Sequence, residues 1–179
     1  MIGIKVNKLF RRGKKVKIID VLKMACTMEV QGMKFYSEQM GNVKNINLKE
    51  IFKHLSDMEK EHADYLQKQI NNFEKGNNLD QLPDSKEDSI FIERMKQQKI
   101  ETSSLEEDLG DFSIIRMAYL AERDFEKFYK NTAEKSEDEN VKDIFLKLSK
   151  WENGHAEMLK KQLEDIIARN SLELGFYPL

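Results

Sequence analysis

The sequence predicts an all-α protein, an antiparallel four-helix bundle made of two repeated helical hairpins that a long crossover joins. Three observations support this prediction. The composition suits helices, since only 2 prolines and 8 glycines occur among 179 residues, of which 35% are charged and 40% hydrophobic. Apolar residues recur every three or four positions. Residues 20–70 align without gaps on residues 113–163, an offset of 93, with 18 identities in 51 positions.

The first hairpin is expected at residues 17–74. Its first helix, over 17–41, carries an apolar stripe at helical spacing and ends in the turn GNVKNIN. Its second helix is predicted over 47–74, where Asn47 precedes a glutamate by three residues, a spacing close to that of a capping box. A turn this short places the two helices side by side and antiparallel.

The crossover is expected at residues 75–110, which is long enough to span the length of a bundle. It contains the breaker-rich segment KGNNLDQLPDSKED, and residues 91–100 are predicted to form a short helix. The second hairpin is expected at residues 111–170, with helices over 111–135 and 139–169. The whole chain then divides into a basic N-terminal arm, the bundle and a C-terminal tail, at residues 1–16, 17–170 and 171–179.

Composition and charge argue against several classes of function. The formal net charge of −2 creates no field that would attract nucleic acid, and no nucleic-acid partner is expected. No apolar run approaches the roughly 18 residues of a membrane span. Cys26 is the only cysteine, which excludes an internal disulfide and a four-cysteine metal site and fits a reducing cytoplasm. The arm 1–16 is interpreted as solvated, or else as a contact for an acidic partner or a membrane surface.

Six ionisable residues interrupt the apolar stripes near the middle of the four main helices, where a bundle helix faces the core. The first and third helices each contribute one glutamate. The second and fourth each contribute an E-x-x-H pair, whose two side chains share one helix face. The repeat matches these residues position by position. They are Glu29, Glu59, His62, Glu122, Glu152 and His155.

Electrostatics indicates a metal site. Four carboxylates buried close together would repel one another and would have to take up protons. Two divalent cations would balance them in formal charge, and this ligand set is that of two-metal carboxylate bundles. The competing interpretation, a core with ordinary ion pairs, needs cationic partners, yet no Lys or Arg lies on these stripes near the six residues. Oxygen ligands with two imidazoles and no thiolate favour two iron ions per chain, with manganese second and zinc as an adventitious occupant.

The segments around these residues resemble a known family. EVQGMKFY from Glu29, MEKEHA around Glu59, ERDFEKFY from Glu122 and WENGHA around Glu152 are similar to the rubrerythrin-like branch of the ferritin-like di-iron carboxylate superfamily. The resemblance covers both hairpins. It implies a ferritin-like fold and a non-haem di-iron centre that reacts with hydrogen peroxide or oxygen. It also implies that Glu59 and Glu152 bridge the metals and that the other four residues are terminal ligands.

Two differences from that family bear on the chemistry. Full rubrerythrins add a C-terminal rubredoxin-like domain that supplies electrons; this sequence shows none, and an external donor such as a rubredoxin-like protein is expected. The family also carries an extra glutamate three residues after the core glutamate of the third helix. Here that position is Phe125, and the equivalent of Phe125 in the first helix is Gly32. Gly32 is interpreted either as an access route for a small oxidant or as a point of close helix packing.

Three further side chains are candidates for an outer role at the site. Tyr36 and Tyr129 lie two helical turns beyond Glu29 and Glu122, and each is interpreted as a core tyrosine, as a hydrogen-bond donor to the ligands or as an electron donor. Glu126, the carboxylate nearest to the family's extra glutamate, is interpreted as an ion-paired surface residue or as an outer carboxylate of the site.

Three functions are compatible with these residues. The preferred one is a rubrerythrin-like oxidoreductase that reduces hydrogen peroxide or oxygen with electrons from an external donor. The second is a ferroxidase or iron-storage protein. The third is a non-enzymatic bundle in which metal serves as a structural element or a sensor. By analogy with the family a homodimer is expected, and the single cysteine favours a cytoplasmic location.

Overall fold

The computed structural model describes residues 18–80, 86–97 and 104–173, and within them it contains five α-helices and no strand. The helices are α1 (Ile18–Gln39), α2 (Ile46–Glu74), α3 (Lys86–Gln97), α4 (Leu105–Lys135) and α5 (Glu139–Glu173). α1 packs along α2 and α4 packs along α5, while α1 also contacts α4 and α3 lies on α5. The prediction of an all-α helical bundle is confirmed.

Two helix starts differ from the prediction because other residues cap them. α4 begins at Leu105 instead of residue 111, since the hydroxyl of Ser104 accepts the N–H of Glu107 and the Glu107 carboxylate accepts the N–H of Ser104. At α2 the side chain of Asn45, rather than that of Asn47, accepts backbone N–H groups of the first turn. The short helix expected over 91–100 lies earlier, as α3.

Two apolar clusters fill the bundle above and below its middle. The first cluster includes Phe52 and Ile115, and the second includes Leu22 and Phe145. Along α1 and α5 the chain passes from the second cluster to the first, whereas along α2 and α4 it passes from the first to the second. α2 and α4 therefore run in the same direction, and the segment between them has to return along the length of the bundle.

Two glutamines at equivalent positions of the repeat hold this crossover. The side-chain oxygen of Gln69 accepts the backbone N–H of Asp80 at 2.7 Å, near the end of α2. Gln162 donates its side-chain N–H to the backbone carbonyl of Met95 in α3 at 3.1 Å. Both glutamines are buried, with exposed fractions of 0% and 1%. The repeat therefore supplies one anchor to each end of the described crossover.

Several predicted segments fall outside the described residues. These are the basic arm 1–16, residues 174–179 of the tail, and residues 81–85 and 98–103 of the crossover. Among the helices that are described, none combines the length and the apolar character that a membrane crossing requires.

Candidate metal centre

The six predicted site residues converge in the middle of the bundle, between the two apolar clusters, and none of them exposes more than 2% of its surface. Four helices contribute to the site. The contributing residues are Glu29 of α1, Glu59 and His62 of α2, Glu122 of α4, and Glu152 and His155 of α5.

The ligand atoms of these residues form two groups of four, and within each group they all lie within 4.8 Å of one another. The groups are Glu29, Glu59, His62 and Glu152, and Glu59, Glu122, Glu152 and His155. Two residues belong to both groups, and we call Glu59 and Glu152 the shared glutamates. Glu29 and Glu122 each belong to one group, and we call them the end glutamates.

The shared glutamates direct their two oxygens at different histidines. Nδ1 of His62 lies 3.5 Å from Oε2 of Glu59 and 3.5 Å from Oε1 of Glu152. Nδ1 of His155 lies 3.4 Å from Oε1 of Glu59 and 3.2 Å from Oε2 of Glu152. Each shared carboxylate thus presents one oxygen to each group, which is the orientation that a carboxylate bridging two metals requires.

Each end glutamate is held from the opposite hairpin by a tyrosine. Tyr36 of α1 donates its hydroxyl to Oε1 of Glu122, and Tyr129 of α4 donates to Oε1 of Glu29. The second oxygen, Oε2, faces Nδ1 of the histidine in the same group, at 3.6 Å for Glu29 and 3.4 Å for Glu122. Both tyrosines are buried, so each one is a core residue and also a donor to the site.

The atoms that converge have no hydrogen-bond partner among the described residues. They are both oxygens of each shared glutamate, Oε2 of each end glutamate and Nδ1 of each histidine. Leaving one buried polar atom unpartnered costs about 1–3 kcal/mol. Eight such atoms in one place would therefore destabilise the core unless a ligand lay among them. Carboxylate and imidazole donors without thiolate fit iron or manganese.

Without metal, protons would offset part of the buried charge of the site. Burial raises the pKa of both end glutamates well above the ordinary value, and the charges of the shared glutamates raise it further. Burial alone would lower the pKa of both histidines, but the carboxylates facing them raise it well above the ordinary value. Burial would raise the pKa of the shared glutamates, yet the facing histidines help to lower it below the ordinary value.

Glu126 is not brought to the site. Its carboxylate forms an ion pair with Arg123 at 2.7 Å, and Arg123 also donates to the side chain of Asn153 on α5 at 3.0 Å. These contacts link α4 to α5 and correspond to the ion-paired interpretation of Glu126.

Gly32 does not form an opening. It is buried, and a Cβ atom at this position would lie 3.3 Å from Cγ of Glu59 and 3.4 Å from the ring of Phe125. The large side chain of α4 therefore packs over the small residue of α1. Of the two interpretations of this glycine, the described contacts support close helix packing.

Sequence reasoning missed the contact that Trp151 makes at the site. Its indole ring stacks on the imidazole of His62, with ring centroids 4.6 Å apart and an angle of 18° between the planes. The repeat could not indicate this contact, because the residue equivalent to Trp151 is Met58. The one available signal was its position directly before Glu152.

Comparisons with known proteins identify the family of the chain and agree with its fold. The family model for rubrerythrin matches residues 20–163. Among solved structures, a hypothetical protein from Pyrococcus furiosus is similar in fold, with a TM-score of 0.63 and 23% identity over 86% of this chain and 92% of that chain. No curated protein matches the chain. The match to the family model spans both hairpins and all six converging residues, and the chain belongs to the rubrerythrin family of ferritin-like di-iron proteins.

Proposed function

We propose that this protein is a non-haem di-iron oxidoreductase that reduces hydrogen peroxide or oxygen with electrons from an external donor. The observation that carries the proposal is the pair of four-residue groups joined by two shared glutamates. Their eight inward atoms are buried and have no hydrogen-bond partner among the described residues, which suits a pair of cations. Membership of the rubrerythrin family supports the same class of chemistry.

Each residue then has a distinct role. Glu59 and Glu152 would bridge the two irons, with one metal completed by Glu29 and His62, and the other by Glu122 and His155. When bound, the irons supply two electrons, one from each ferrous ion, and reduction of peroxide to two water molecules consumes these and two protons.

The protein's own side chains shape this chemistry. The two tyrosines hold Oε1 of the end glutamates, which leaves Oε2 of each directed at the metal position. Burial and the facing carboxylates raise the pKa of both tyrosines well above the ordinary value, so each keeps its proton and remains a donor. The apolar clusters on both sides keep bulk water from the ligands.

The proposal extends to the metal and the partners. Iron is preferred to manganese, and zinc would be adventitious, because the donors are oxygen and imidazole. A rubredoxin-like protein is the kind of external donor proposed. A homodimer is proposed by analogy with the family, and a cytoplasmic location from the single cysteine. The division into an arm at 1–16, a bundle at 17–170 and a tail at 171–179 also stands as a proposal.

The test is to load the protein with ferrous iron without oxygen and then to mix it rapidly with peroxide or with oxygen. We expect two irons per chain and oxidation that is faster with peroxide than with oxygen. Continued uptake of many irons per chain would instead indicate iron storage. Absence of oxidation, together with a large rise in thermal stability on metal binding, would indicate a structural or sensing role.

A further inference from the structure

One aromatic contact distinguishes the two metal positions. The indole of Trp151 on α5 stacks on the imidazole of His62 on α2, at 4.6 Å and 18°. Among the described residues, the one ring that contacts His155 is His62 itself, at 5.8 Å and 6°. The three rings therefore form a nearly parallel series that runs from a partly buried indole to an imidazole with 0% exposure.

The plane of a metal-binding imidazole must be fixed by something other than the metal. In most metal sites the second ring nitrogen donates a hydrogen bond that sets this plane. At His155 the second nitrogen, Nε2, is buried and has no hydrogen-bond partner among the described residues. Packing against the faces of an aromatic ring can also fix its plane. In the other half a flat indole covers the face of His62.

We infer that Trp151 is a positioning residue for His62. Its indole face holds the imidazole plane so that Nδ1 stays directed at the group formed with Glu29, Glu59 and Glu152. Since the residue equivalent to Trp151 in the repeat is Met58, which has no ring, this device serves one metal position and makes the two positions unequal. The inference rests on the proposed function, because it concerns the same metal pair.

The experiment compares Trp151→Leu, which removes the flat ring, with Trp151→Phe, which keeps one. Met58→Leu is the matched control at the equivalent position. Each protein is titrated with cobalt(II) alone, and binding is followed by the visible absorption of the bound metal. Loss of an orienting partner typically weakens metal binding by about 10–100-fold. We expect Trp151→Leu to weaken one of two binding steps by about tenfold, and Trp151→Phe and Met58→Leu to leave both steps close to wild type.

A second readout uses the fact that Trp151 is the only tryptophan of the chain. Its emission in the wild-type protein should change as the position beside His62 fills, which needs no variant and no turnover. Unchanged emission on cobalt binding would overturn the inference, even if the leucine variant failed to fold by circular dichroism. Equal binding by the leucine variant and wild type, or equal losses in the leucine and phenylalanine variants, would also overturn it. A wild-type protein that binds neither cobalt nor iron would instead overturn the proposed function.

Discussion

The site has one half around His62 and another around His155. The two halves contain the same types of ligand residue, but the residues that surround them differ. In each half one end glutamate is held by a tyrosine of the opposite hairpin. Around these matched residues the repeat has diverged. His62 lies against Trp151, whereas the residue equivalent to Trp151 in the repeat is Met58, which has no ring. The residues that match between the halves are those that the proposed metal pair requires. The residues that differ are those that can vary in the surrounding bundle.

The divergent positions are not independent, because two of them meet across the bundle. Gly32 of α1 and Phe125 of α4 occupy equivalent places in the repeat, and the phenyl ring lies within contact distance of the glycine. A large residue in one hairpin is thus accommodated by a small residue in the other. A duplicated hairpin that packs against its own copy can diverge in this complementary way while its ligands stay unchanged.

The largest expected loss of bound metal comes from removing a shared glutamate. Removing an end glutamate should have a smaller effect. Glu59→Ala or Glu152→Ala takes a ligand from both groups, and we expect it to abolish binding of the metal pair. Glu29→Ala or Glu122→Ala takes a ligand from one group and should leave the other group able to bind. The measurement is the metal content per chain after loading and gel filtration.

Glu126→Ala is the control for these variants, since Glu126 pairs with Arg123 and should not affect metal content. Two metals per chain in either shared-glutamate variant would contradict the bridging assignment.

The site could be predicted from sequence because its electrostatics tolerates few alternatives. A carboxylate on an inward stripe needs a partner, and the repeat brings the E-x-x-H pairs into register, so the six residues stand out without any knowledge of side-chain positions. The contacts between hairpins could not be predicted in this way. Tyr36 could be placed near the site, but its bond to Glu122 depends on how α1 packs on α4.

The errors at the helix ends had a different origin. The S-x-x-E pattern that starts α4 at Leu105 is present in the sequence, but it lies in a segment assigned to the crossover. The two interpretations of Gly32 could not be separated from sequence, because alignment of a repeat shows which residues are equivalent but not which ones touch.

The next largest expected effect is that of pH on metal affinity, because the site without metal should hold protons. The pKa of both histidines and of both end glutamates is raised, so these groups hold protons that a metal must displace. Metal affinity should therefore rise with increasing pH and fall as the solution becomes acidic. Metal added to weakly buffered protein near neutral pH should release protons, which an indicator dye would record. Binding without proton release would contradict this assignment of protonation states.

Removing a tyrosine hydroxyl should have a smaller effect on metal affinity. Each variant should affect only the half of the site whose end glutamate that tyrosine contacts. Tyr129→Phe leaves Oε1 of Glu29 without its donor, and Tyr36→Phe does the same to Glu122. Loss of such an orienting bond should weaken one of two metal-binding steps by about tenfold, a different step in each variant. Cobalt titration of the two single variants and of the double variant measures this. Equal weakening of both steps by each single variant would show that the halves are coupled more tightly than the contacts suggest.

The smallest expected effect on stability and cobalt affinity distinguishes two of the helical glycines, Gly32 and Gly154. Replacing a helical glycine with alanine favours the helix by about 1 kcal/mol, so thermal stability should rise if the methyl group fits. At Gly154 the new Cβ would meet Cδ1 of Ile92 at 3.3 Å, the end of a flexible side chain that can move aside. At Gly32 it would meet the side chain of Glu59 at 3.3 Å, and displacement of a shared ligand should weaken metal binding. We therefore expect Gly154→Ala to stabilise the metal-free protein and leave cobalt binding unchanged, and Gly32→Ala to reduce cobalt affinity. Unchanged affinity in Gly32→Ala would mean that Glu59 has more freedom than its burial against Gly32 and Phe125 indicates.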